Sequence, residues 1–88
     1  MTAPTLSAWT LDGSDSDWIR VDARGEPQAF AWLCTREEPR PFARWWTLPP
    51  NPRPGVHAGR NRANDIDEAK READRSAREL GWTLEDST

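Results

Sequence analysis

The chain has 88 residues, of which 31% are charged and 35% hydrophobic, with one Cys, six Trp and a formal net charge of −3. A chain this short buries only roughly 60–65% of its unfolded surface around one small core, which leaves little interior for a deep substrate cavity and disfavours an enzyme. The negative balance excludes the strongly basic profile of a general nucleic-acid binder, and Cys34 alone excludes an intramolecular disulfide, so a reducing, cytoplasmic setting is expected.

The N-terminal residues 1–11 have neither a basic start nor a long apolar run, and the longest apolar stretch, residues 29–34, is too short to cross a bilayer; neither a secretion signal nor an anchor is expected. Residues 6–11 (LSAWTL) suit an extended strand, closed by the turn-rich Asp12-Gly13-Ser14-Asp15-Ser16-Asp17. Residues 18–21 (WIRV) alternate, residues 22–27 make a hairpin loop, and residues 28–35 (QAFAWLCT), apolar on both faces, predict a central strand. After the break at residues 36–41, residues 42–48 (FARWWTL) predict a fourth, aromatic strand.

Residues 49–63 (PPNPRPGVHAGRNRA) hold four Pro and two Gly and predict a long loop. Ile66, Ala69, Ala73, Ala77 and Leu80 then recur at helical spacing with charges between them, predicting an amphipathic helix over 65–80. Asp65 with Glu68 forms a capping box, with Asn64 as an alternative cap, and Gly81 supplies the left-handed residue that ends the helix. Trp82 and Leu84 follow as a docking tail, residues 81–88, or a short fifth strand. The expected fold is α+β: a four-stranded antiparallel meander over 5–48, packed on one C-terminal helix as a two-layer sandwich.

Trp9, Trp18, Trp32, Trp45, Trp46 and Trp82, with Phe30 and Phe42, exceed what one Ala-striped helix can cover. Neighbours such as Trp45 and Trp46 must point to opposite faces, and Phe30, Trp32 and Cys34 oppose Ala29, Ala31 and Leu33, so one set lies on the side away from the helix, where the alternatives are a cap formed by the Pro-rich loop, half exposure to solvent, or a partner. Charge is also segregated: residues 1–35 carry −3, residues 36–63 carry +4 and residues 64–88 carry −4. The basic middle combines with its aromatics into an expected partner-binding surface of Arg36, Arg40, Arg44, Trp45, Trp46, Arg53, Arg60 and Arg62.

Other chemistries lack parts. His57 is the only imidazole and has no second His or nearby Cys to complete a zinc site, and Cys34 reads as a small buried core residue rather than a nucleophile. Asp12, Asp15 and Asp17 lack the remaining ligands of a calcium loop, and Gly55 and Gly59 lack the Gly-Lys-Ser/Thr of a phosphate loop. No catalytic residue, metal or cofactor is expected. On the helix, Asp67 with Arg71 and Asp74 with Arg78 read as exposed i,i+4 ion pairs. Ala73→Asp is accordingly expected to break the fold and Asp74→Ala to change little.

The run from Asp65 to Trp82, with its Glu68-Ala69-Lys70-Arg71-Glu72-Ala73 core after Trp-bearing strands, resembles the closing helix of small single-domain bacteriophage and prophage proteins. That resemblance, spread over residues 18–82, implies an accessory protein that works by binding rather than catalysis, as anti-CRISPR inhibitors of host defence do. The expected function is therefore a non-enzymatic protein-binding module that inhibits a host defence complex, with a host protein or nucleoprotein complex as partner and no membrane. A single-stranded nucleic-acid binder using the Arg and Trp residues of 36–62 is the second reading, and a small module that dimerises through an exposed strand the third.

Overall fold

Alternation of small and large residues along the strands decides which side of the sheet a helix can approach. In the computed structural model, which describes residues 4–13, 16–34, 42–50 and 61–85, the strands are β1 (Thr5–Leu6), β2 (Thr10–Leu11), β3 (Asp17–Val21), β4 (Pro27–Cys34), β5 (Phe42–Thr47), β6 (Asn61–Ala63) and β7 (Thr83–Leu84). Among these residues β2 to β6 form an antiparallel sheet in chain order, and β1 pairs in parallel with β7. The helix α1 (Ile66–Glu79) lies against β4 and β5. The α+β class and the antiparallel sheet are as expected, with β4 central.

Three details differ from the expectation. The first strand is split, because Ser7 exchanges bonds with Val21: its backbone N–H donates to the Val21 carbonyl at 2.8 Å and its Oγ accepts from the Val21 N–H at 3.0 Å. The fifth strand of the sheet is β6, inside the segment read as a loop. Asn61, Arg62 and Ala63 contain neither Pro nor Gly, and Ala63 pairs with Ala43 while Arg62 pairs with Arg44. The tail forms no part of that sheet; β7 joins β1 beside it.

The helix keeps the expected Asp65 cap but not the full capping box. Asp65 accepts from the Glu68 N–H at 2.8 Å, but Glu68 accepts from the Asn64 N–H at 2.9 Å, so the reciprocal bond falls one residue early. At the far end Gly81 has φ +107°, the Trp82 N–H donates to the Ala77 carbonyl and the Gly81 N–H to that of Arg78, a Schellman ending that Leu80 precedes. Leu80 is therefore at the cap, where the chain turns away, and at 39% exposure it does not complete the apolar stripe.

Alanine makes the contact between layers. Ala69, Ala73 and Ala77 of α1 and Ala29, Ala31 and Ala43 of the sheet are all fully buried, with Ala63 beside them. Methyl-sized side chains let the helix lie low on the sheet, and the larger indoles surround it. Trp9 donates to Asp74 at 3.0 Å, Trp45 donates to Glu72 at 2.8 Å, Trp82 donates to the Leu48 carbonyl at 2.7 Å, and the Lys70 ammonium lies 3.3 Å from the centre of the Trp18 ring. Hydrogen bonds to charged acceptors contribute about 1.5–3 kcal/mol each, so the helix carboxylates orient the aromatic surround rather than only solvating the outer face.

Asp74 in particular is not the partner of Arg78 that its spacing suggests. Arg20, 3% exposed, donates Nε to Asp74 Oδ1 at 2.9 Å and Nη2 to Oδ2 at 3.2 Å, while its Nη1 reaches the carbonyls of Ser7 and Glu85. One guanidinium thus ties the segment after β1, the sheet, the helix and the segment after β7. This geometry predicts a substantial cost for Asp74→Ala where the helical spacing predicts tolerance.

Candidate functional site

Because register sets which side chains share a face, the sheet surface opposite α1 can be described row by row. One row runs Asp17 on β3, Trp32 on β4, Arg44 on β5 and Arg62 on β6; the next runs Thr10, Ile19, Phe30 and Trp46 on β2 to β5. Cys34 and Phe42 pair at the end of β4 and β5. Phe30 and Trp46 stack with ring centres 4.0 Å apart and planes at 27°. Arg62 and Arg44 bring their guanidinium carbons to 4.1 Å and 5.2 Å from the Phe42 ring centre, and Phe42 is buried beneath them.

Phe30, Trp32 and Trp46 are half-buried and line an open cleft of about 360 Å³ with Asp12 and Asp17. The surface is thus polarised: carboxylates at the β2–β3 side, aromatic rings in the middle, guanidinium groups at the β5–β6 side. Cys34 belongs to this face and is half-buried, not a member of the core, because it follows Trp32 by two residues and so points away from α1.

Of the expected binding residues, Arg44, Trp46 and Arg62 come together here. Trp45 lies on the other face, its indole held by Glu72, which is the opposite orientation that adjacent strand residues require. Arg36, Arg40, Arg53 and Arg60 lie outside the described residues, as do His57 and Asp15. Missing from the expected set were Trp32, Phe30 and Asp17. Their alternation marks them as sharing a face, but only strand pairing places Trp32 beside Arg44 and Phe30 beside Trp46.

A second, polar cleft of about 420 Å³ on the helix side is lined by Trp45, Asn61, Arg62, Glu72, Arg75, Ser76 and Glu79. Its Glu72 is engaged by Trp45, and Ser76 Oγ lies 2.7 Å from Thr47 Oγ1, so these groups serve the contact between helix and sheet. At the β3–β4 turn, burial works to raise the Asp22 carboxyl, but the Glu26 amide, the Gln28 side chain and the Arg24 amide, together with the Arg24 charge, outweigh it and hold the group below the ordinary aspartate value. Lys70 is lowered by burial, opposed by the charges of Asp67 and Asp74 and reinforced by Arg20.

Among the described residues no group of three or more His, Cys, Asp or Glu is placed to hold a metal ion, and no helix is long and apolar enough to cross a membrane. Comparison with known proteins finds no matching family model, and no curated protein or solved structure matches the chain.

Proposed function

We propose that this protein is a non-enzymatic binding module that captures another protein on the sheet face opposite α1. The observation that carries this function is the half-buried aromatic group Phe30, Trp32 and Trp46, flanked by Arg44 on a surface that the helix does not cover. Indole and guanidinium side chains are the commonest energetic anchors of protein interfaces, since they combine large apolar area with directed polar contacts. The narrower form of the proposal, an accessory protein of a phage or mobile element that inhibits a host defence complex, draws its support from the resemblance of residues 65–82 to such proteins.

The test is affinity capture from a nuclease-treated bacterial lysate, comparing the wild-type chain with an Arg44→Ala/Trp46→Ala variant of unchanged circular dichroism. A defined protein complex held by the wild type and lost by the variant supports the proposal; equal capture by both rejects it. Nucleic acid is a second reading, because stacked rings beside Arg44 and Arg62 form the kind of platform on which single-stranded bases stack. Asp12 and Asp17 on the same cleft oppose phosphate, and this is why protein is preferred. Binding of a labelled oligonucleotide that weakens steeply with salt, and is lost in the same variant, would put nucleic acid first.

A further inference from the structure

We propose that, when no other partner is present, the open sheet face is covered by a second copy of this chain, packed face to face about a twofold axis that runs parallel to the strands in the interface plane, above the gap between β4 and β5. The inference rests on the preceding reading of that face as an interaction surface and names its occupant.

The order of side chains across the sheet carries it. Asp17, Trp32, Arg44 and Arg62 lie in one row on four successive strands. A twofold axis parallel to the strands reverses this order and leaves position along the strands unchanged. Asp17 then stands opposite Arg62 of the second copy, and Trp32 opposite Arg44 of the second copy. In the neighbouring row Phe30 stands opposite Trp46 of the second copy. Acid meets base, indole meets guanidinium and ring meets ring, and the symmetry makes each contact twice. A perpendicular axis in the same plane, running along this row, would instead set Asp17 against Asp17 and Arg44 against Arg44, and charge disfavours that arrangement. Asp17 and Arg62 also hold contacts within their own chain, and the dimer requires only that their charges face each other.

Layer architecture points the same way. A sheet apolar on both faces needs a layer on each, and among the described residues α1 supplies one and no element packs on the other. Two sheets stacked with aligned strands lie about 10 Å apart with the side chains of their inner faces interdigitated, so Trp32 lies alongside Arg44 of the second copy rather than end to end with it. Edge-to-edge pairing has less to offer, because among the described residues the outer strands β2 and β6 contain only two and three residues. Self-association and capture of a different protein then compete for one surface, and the monomer–dimer equilibrium sets how much of it is available.

Sedimentation of the full chain over roughly 5–200 µM, in low and high salt, tests the dimer. Asp17→Arg alone and Arg62→Asp alone each place like charges opposite one another and should weaken self-association at least about tenfold. An equimolar mixture of the two variants restores both ion pairs and should dimerise again. Trp32→Ala, which removes the ring facing Arg44 of the second copy without altering charge, provides a second route if either charge variant fails to fold. A wild-type dimer indifferent to all three substitutions, or a mixture no better than its components, overturns the arrangement.

A strict monomer throughout the range also overturns it, and the indole N–H signals then separate the two proposals. Rapid relaxation of Trp32 and Trp46 by a soluble paramagnetic agent leaves the face open and the protein-binding reading standing. Signals as protected as those of Trp9 and Trp82 sink that reading as well.

Discussion

Asp74→Ala is the substitution for which sequence spacing and three-dimensional geometry disagree most. By spacing, Asp74 is an exposed helix carboxylate whose loss costs a few tenths of a kcal/mol. By geometry it receives Arg20 Nε at 2.9 Å, Arg20 Nη2 at 3.2 Å and Trp9 Nε1 at 3.0 Å. Removing one partner of a buried ion pair costs about 3–5 kcal/mol because the other charge is left in a poorly solvated site. Here the Asp74 side chain is 19% exposed and Arg20 keeps two backbone carbonyls, which lowers that figure; the orphaned Trp9 indole restores about 1 kcal/mol.

The net loss is about 3 kcal/mol, against a total stability of roughly 4–13 kcal/mol for 88 residues. In a domain of this size it corresponds to a fall of about 12–24 °C in Tm. Urea unfolding followed by far-UV circular dichroism measures it, with the m-value checking that the unfolded state is unchanged. An Arg20→Met/Asp74→Leu pair, which removes both charges, should recover part of the loss. Asp74→Ala within about 0.5 kcal/mol of wild type would refute the reasoning and return Asp74 to the solvated face.

Ala73→Asp places an unpaired carboxylate where Ala73 is fully buried between helix and sheet, and a loss of at least about 3 kcal/mol is expected; a Tm within a few degrees of wild type would mean that the helix turns another face inward. Gly81→Ala meets no neighbouring atom but must hold φ +107°, so about 1–2 kcal/mol of backbone strain should appear in the urea midpoint, and an unchanged midpoint contradicts the left-handed cap. Asp22 has a folded-state pKa below its unfolded one, so its contribution is complete above the unfolded value and disappears as pH falls through the folded value. The stability difference between wild type and Asp22→Asn should therefore shrink as pH is lowered from 6 towards 2.5; a constant difference across that window counts against the hydrogen bonds from Glu26, Gln28 and Arg24.

Periodicity and local chemistry were enough to specify the helix, its Ala stripe and its Gly81 ending, and to narrow the cap to Asp65 or Asn64, because each of these depends on residues within a few positions of one another. The two-sided character of the central strand was equally legible, since Phe30, Trp32 and Cys34 must oppose Ala29, Ala31 and Leu33 wherever the strand lies. Local pattern could not identify which set meets the helix. Both are apolar, and the choice depends on Ala69, Ala73 and Ala77 finding methyl-sized partners across more than thirty residues of chain.

The same limit explains β6, an edge strand whose three residues carry no apolar alternation of their own and pair only because β5 offers a free ladder. It explains Asp74, where a partner 54 residues away displaced the neighbour at i+4. It also explains the candidate surface: an Arg-rich segment can be read from composition, but the row of Asp17, Trp32, Arg44 and Arg62 exists only once four strands are in register. Short-range hydrogen bonding and amphipathic spacing are properties of the chain, whereas charge across a sheet is a property of strand pairing, and pairing is decided by the core as a whole.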